Sequence, residues 1–160
     1  MNYKSFFIVL FVLTALVFQT AAAQDFSDTR WMDYFNRGKY DSVVIELTAW
    51  VDNVPWEKQG IPLYFLGESY YNLALTEETA SAAVKLFQNA FANFEECLQR
   101  PDLQESPYRH HAVYKQAWSR FRLAEMGSQS PVTLYNEAFT TFMQVDDQAP
   151  DDLPLHSAYV

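Results

Sequence analysis

Few residues of this chain have both the type and the spacing that chemistry needs. His110 and His111 are adjacent. Neighbouring side chains on a helix diverge by about 100°, so these two rings cannot readily share a metal ion. Glu95, Glu96 and Cys97 lie across one loop from them, but structural zinc sites use cleaner ligand spacing. A Cys97–His111 pair is conceivable as nucleophile and base, yet Cys97 sits between apolar neighbours on a helical stretch and reads as a small buried residue. The acid pairs Asp146–Asp147 and Asp151–Asp152 read as solvated charges at helix ends rather than a calcium site. The chain has no H-E-x-x-H, no G-x-S-x-G and no glycine-rich phosphate loop. The expectation is therefore no catalytic residue, no metal and no cofactor: a chain that is not an enzyme.

Composition narrows the partners. The chain has 160 residues, with 20 acidic and 11 basic side chains and a net charge of −9. An acidic surface repels phosphate backbones and anionic lipid, which argues against nucleic acid and membrane-surface partners. Residues 1–23 differ from the rest. A short basic start with Lys4 precedes an apolar run from Phe6 to Phe18, and Ala21-Ala22-Ala23 offers small residues for cleavage before Gln24. That is the pattern of a secretory signal peptide. The apolar run is shorter than the roughly 20 residues a spanning helix needs, so no membrane insertion is expected once the signal is removed. No cysteine follows the run to take a lipid. The expectation is an exported protein, periplasmic before extracellular. Cys97 is the one cysteine in the sequence, so the fold cannot be held by an internal disulfide.

The elements that would position any site are helices. Apolar residues recur at three- and four-residue steps, and no sustained apolar–polar alternation is present. Gly38, Val51–Pro55, Leu75–Glu78, Arg100-Pro101, Met126–Ser128 and Ala149-Pro150 punctuate the chain. Ser106-Pro107 and Ser130-Pro131 each read as a cap followed by proline at the first helical position. Six helices follow, at about 26–37, 40–52, 58–74, 78–99, 107–125 and 131–146. In the fourth, Ala83, Leu86, Phe87, Ala90, Phe91, Phe94 and Leu98 share one broad face. Short connections make the helices three antiparallel pairs.

These pairs repeat a pattern. Gly38, Tyr40, Val43, Leu47, Trp50 and Pro55 match the second half of a helix–turn–helix unit. Leu63, Leu66, Gly67 and Tyr70 stand at W-x-x-L-G-x-x-Y spacing, and Ala83, Phe87 and Ala90 follow. Ala138, Phe142, Val145 and Pro150 give the same A…F…A…P spacing again, while Tyr114, Ala117, Trp118 and Phe121 fit less closely and leave two registers open. In this the chain resembles the tetratricopeptide repeat (TPR) family, whose unit is about 34 residues. Units two and three depart from it by insertions of about four and nine residues between their half-patterns. The resemblance covers about 26–150 and leans toward the exported bacterial envelope type. It implies an all-α fold: a right-handed stack of antiparallel helix pairs (an α-solenoid) with about three repeats plus the start of a fourth. Residues 24–160 would form this domain. The stretch after Pro150 reads as the start of another first helix, and so as the N-terminal part of a longer array.

The resemblance also implies where partners bind. First helices line a concave groove, which places Tyr64, Phe65, Glu68, Tyr71 and Asn72 there from the second unit. The third contributes Tyr114, Lys115, Trp118, Phe121 and Arg122, and the first Met32, Phe35 and Asn36. Phe65 and Phe121 read as plain core. Tyr71 and Trp118 are the preferred contacts, since Tyr and Trp bury large area at small rotamer cost. Lys115 and Arg122 are placed to take a carboxylate of the ligand. The implied partner is another protein or peptide. The alternatives are a structural spacer or oligomerising scaffold, joined at its C-terminal edge to further repeats or another subunit, and the regulatory N-terminal part of a longer enzyme.

Overall fold

Gly38 is where the described chain first reverses. A computed structural model describes residues 30–127 and 130–148, with side chains to 144 in the last helix. The signal segment, the residues before Arg30, Pro150 and the fourth-repeat stretch lie outside the described residues, as do the side chains of Val145, Asp146 and Asp147. Helix α1 spans Arg30–Asn36 and α2 spans Tyr40–Val51. Between them Gly38 takes φ +68°. Its N–H donates to the Phe35 carbonyl at 2.9 Å, and the Lys39 N–H donates to that of Tyr34 at 2.9 Å. This paired closure of a helix end needs a left-handed residue, which glycine supplies without strain.

The remaining helices are α3 (Gly60–Thr76), α4 (Ala80–Cys97), a short α5 (Pro101–Gln104), α6 (Tyr108–Glu125) and α7 (Pro131–Gln148), with a 3-10 turn at Trp56–Lys58. Among the described residues no strand is present. The described residues from Trp31 on form one unit. Successive helices pack in chain order: α2 on α3, α3 on α4, α4 on α6 and α6 on α7. The all-α expectation is met, and the expected helices fall within a few residues of the observed ones.

Two local expectations are corrected. The fourth helix ends at Cys97 rather than at Gln99, and Pro101 opens α5 where an irregular connection was expected. The reason is long-range. Asp102 on α5 accepts from the N–H groups of Gly60 and Ile61, at 2.9 and 3.2 Å. It thereby satisfies orphan donors and meets the positive end of α3. A Cβ at position 60 would stand 2.4 Å from that carboxylate, which accounts for glycine there. The third helix begins at Gly60 because the preceding turn is 3-10. The Ser106–Pro107 start expected for the helix over 107–125 is met: Pro107 has helical φ −60° and ψ −20°, and the Ser106 hydroxyl accepts from the Tyr108 N–H at 3.2 Å.

The core lies between α3 and α4. Ala83, Phe87, Ala90, Phe94 and Cys97 form one fully buried stripe on α4, with Leu86, Phe91 and Leu98 half-buried beside it. A Cβ on Gly67 would meet the Phe94 ring at 2.7 Å, so the close crossing requires glycine at 67. Burial of each of these phenylalanines contributes roughly 1.5–3 kcal/mol. Cys97 is buried and free, and burial pushes its thiol up to about 12, so it stays protonated and inert.

Candidate functional site

The face that α3 turns to α6 carries Tyr64, Glu68 and Tyr71, at helical steps of four and three. The matching face of α6 carries His111, Lys115, Trp118 and Arg122, at steps of four, three and four. Each series lies along one side of its helix. Between them the two series build a polar seam roofed by aromatic rings.

Glu68 is at its centre and is 5% exposed. Lys115 Nζ lies 3.4 Å from its Oε2, and His111 Nδ1 lies 3.6 Å from its Oε1. Oε1 is buried and makes no hydrogen bond. Burial raises the Glu68 carboxyl above its ordinary range, while Lys115 pulls it back. His111 is pushed down to about 4, by burial first and then by the Lys115 charge, so its ring is neutral near pH 7. Its Nδ1 is hydrogen-bonded to the Tyr64 hydroxyl. The Lys115 ammonium also stands 4.7 Å from the centre of the Tyr71 ring, a cation–π contact in a shielded place. Arg122 reaches the Tyr71 hydroxyl, whose pKa is raised by burial. It also pairs with Glu125 at 2.8 Å and lies 5.6 Å from the Trp118 ring.

The aromatic roof runs on from this seam. Tyr108 stacks on Tyr64 at 4.9 Å. Trp118 touches Phe121 and Phe142, each at 5.3 Å between centres, and Tyr114 touches Phe142 at 5.2 Å. On the other side Trp31 and Phe35 of α1 each meet Phe65 at 4.9 Å. The Trp118 and Arg122 Nε-position nitrogens are buried without a hydrogen-bond acceptor.

Of the expected site residues, Glu68, Tyr71, Lys115, Trp118 and Arg122 meet across α3 and α6, with unequal exposure. Tyr64, Glu68 and Tyr71 are buried, so they hold the seam and offer little surface. Asn72 is half-buried, and its amide donates to the Glu68 carbonyl at 2.7 Å. Tyr114, Lys115, Trp118 and Arg122 are half-buried. Phe65 is core as expected, whereas Phe121 is half-buried. Met32 and Asn36 are exposed, and Phe35 is half-buried. The residue missed is His111. The signal was its four-residue spacing to Lys115, matching that of Tyr64 to Glu68.

Elsewhere, a shallow cleft of about 310 Å³ is lined by Arg120, Asn136, Glu137, Thr140 and Thr141. Arg120 and Glu137 pair with each other at 3.3 Å, and both threonine hydroxyls donate to carbonyls of their own helix. Among the described residues no cluster of three or more His, Cys, Asp and Glu could hold a metal ion, and no helix is long and apolar enough to cross a membrane. No family model matches the chain, and no curated protein or solved structure matches it significantly.

Proposed function

We propose that this chain is a non-enzymatic interaction module of the bacterial envelope, built as a TPR-like stack of helix pairs, that holds a peptide or a partner helix along α6. The observation that carries the reading is the half-buried aromatic row Tyr114, Trp118 and Phe121, braced by Phe142 and bordered by Arg122. Rigid rings with one exposed edge bind at little entropic cost. Beneath them the pair of buried Glu68 and half-buried Lys115 fixes the helix that presents them. Signal cleavage before Gln24 and a periplasmic site belong to the same reading. A pull-down from periplasmic extract tests it. Partners recovered by the wild type should be lost by Trp118→Ala and kept by Ile45→Ala, whose side chain is exposed on α2. Equal recovery by both variants rejects the α6 site.

One observation favours a second reading, a spacer or oligomerising scaffold. Val132, Tyr135, Phe139 and Met143, spaced three, four and four apart on α7, are all exposed. Such a bare face suits stacking against another repeat or subunit. Static light scattering separates the readings: a monomer at tens of micromolar rejects self-association.

A further inference from the structure

We propose that Glu68 and His111 act as one proton-binding pair, in which a proton taken up from solvent bridges Glu68 Oε1 and His111 Nδ1 and displaces the Tyr64 hydroxyl. Three positions argue for it. Oε1 is a buried acceptor with no hydrogen bond. Nδ1 stands 3.6 Å from it. Nδ1 is hydrogen-bonded to the Tyr64 hydroxyl, and in the proposed neutral state Nδ1 is the acceptor and the hydroxyl the donor. An added proton between oxygen and nitrogen supplies the hydrogen bond that Oε1 lacks. Nδ1 has one lone pair, so it cannot then also accept from Tyr64. The balance is simple: one proton enters, one O···H···N bond forms, and the Tyr64 O–H···N bond breaks.

The groups facing His111 are few. From α3 they are Tyr64 and Glu68, and from its own helix Lys115, with Tyr108 stacked on Tyr64. Among the described residues α4, α5 and α7 make no hydrogen bond or ion pair to it. Lys115 opposes a second positive charge on the ring, so a proton entering here is held by the pair rather than by the histidine alone. Titrations coupled this closely belong to the pair. The seam stays bridged in both states: Tyr64 to His111 without the proton, Glu68 to His111 with it. Acidification therefore exchanges one contact across α3 and α6 for another while α6 stays in place.

Nuclear magnetic resonance of the whole chain tests this. In the wild type the Glu68 carboxyl carbon and the His111 ring should shift at one common midpoint, with Nδ1 unprotonated at neutral pH. Tyr64→Phe removes the competing donor and should raise that midpoint by roughly half to one pH unit. Glu68→Gln should abolish the His111 transition at that midpoint. Two separate midpoints in the wild type, or a protonated Nδ1 at neutral pH, would overturn the proposal. Both are read on the wild type, so neither depends on a variant folding.

Discussion

The α3–α4 hairpin and the α6–α7 hairpin share one sequence pattern and differ in fate. Ala83 and Phe87 on α4 correspond in spacing to Ala138 and Phe142 on α7. Both alanines are buried. Phe87 is 1% exposed, whereas Phe142 is half-buried and Phe139 beside it is 66% exposed. The cause is the number of neighbours. Helix α4 is packed on by α3 and by α6, while the main packing of α7 among the described elements is on α6. The shared spacing therefore fixes which face turns inward, and the number of packed neighbours fixes how much of the helix is covered.

The largest expected effect follows from that difference. Phe87→Ala should cost about 3–5 kcal/mol, since a fully packed ring leaves a cavity. Phe142→Ala should cost about 1–2 kcal/mol, because its surroundings can close and part of the ring is already wet. Urea titration of the two variants measures the gap. Equal losses would mean that α7 is covered in solution as thoroughly as α4.

A middle effect comes from the seam that joins the two hairpins. The folded-state value of His111, about 4, lies below its ordinary 6.5. The unfolded chain therefore binds the proton more readily, and stability is lost as pH falls from 6.5 towards 4. Glu68 is shifted the other way, upward by burial. Its contribution is present at low pH and lost as pH rises through the folded-state value. The two oppose each other on acidification. His111→Gln should flatten the loss of stability between pH 6.5 and 4, and Glu68→Gln should steepen it. Thermal unfolding across that range checks both directions, and parallel profiles in the two variants contradict the arrangement.

What could be read in the residues was local. The α4 stripe follows from three- and four-residue steps, and the reversal at Gly38 from one residue's tolerance of positive φ. The small residue at Gly67 was legible too, because a close helix crossing has few other solutions. What escaped was set by partners distant in sequence. Asp102 caps α3 from 42 positions away, and nothing near Pro101 announces that α5 must form to deliver it. His111 meets Tyr64 across 47 positions. Its adjacency to His110 served only to exclude a shared metal ion, while the informative spacing was to Lys115. The burial of Glu68 was hidden for the same reason: a carboxylate reads as surface until the lysine beside it is known.

The smallest expected effect is at the bare end of the comparison. Phe139 stands in the row Val132, Tyr135, Phe139 and Met143, and two-thirds of it is already in water. Phe139→Gln keeps a good helix former and adds no charge to an acidic chain. Unfolding free energy should change by no more than about 0.5 kcal/mol, the usual range for surface positions. A loss above about 2 kcal/mol would show that the ring is buried in solution, since only a covered phenylalanine costs that much. Repeating the measurement over a hundredfold range of protein concentration then identifies the cover. A loss that grows with concentration comes from another copy, because association stabilises by mass action. A loss independent of concentration comes from the same chain, and α7 would then belong with α4.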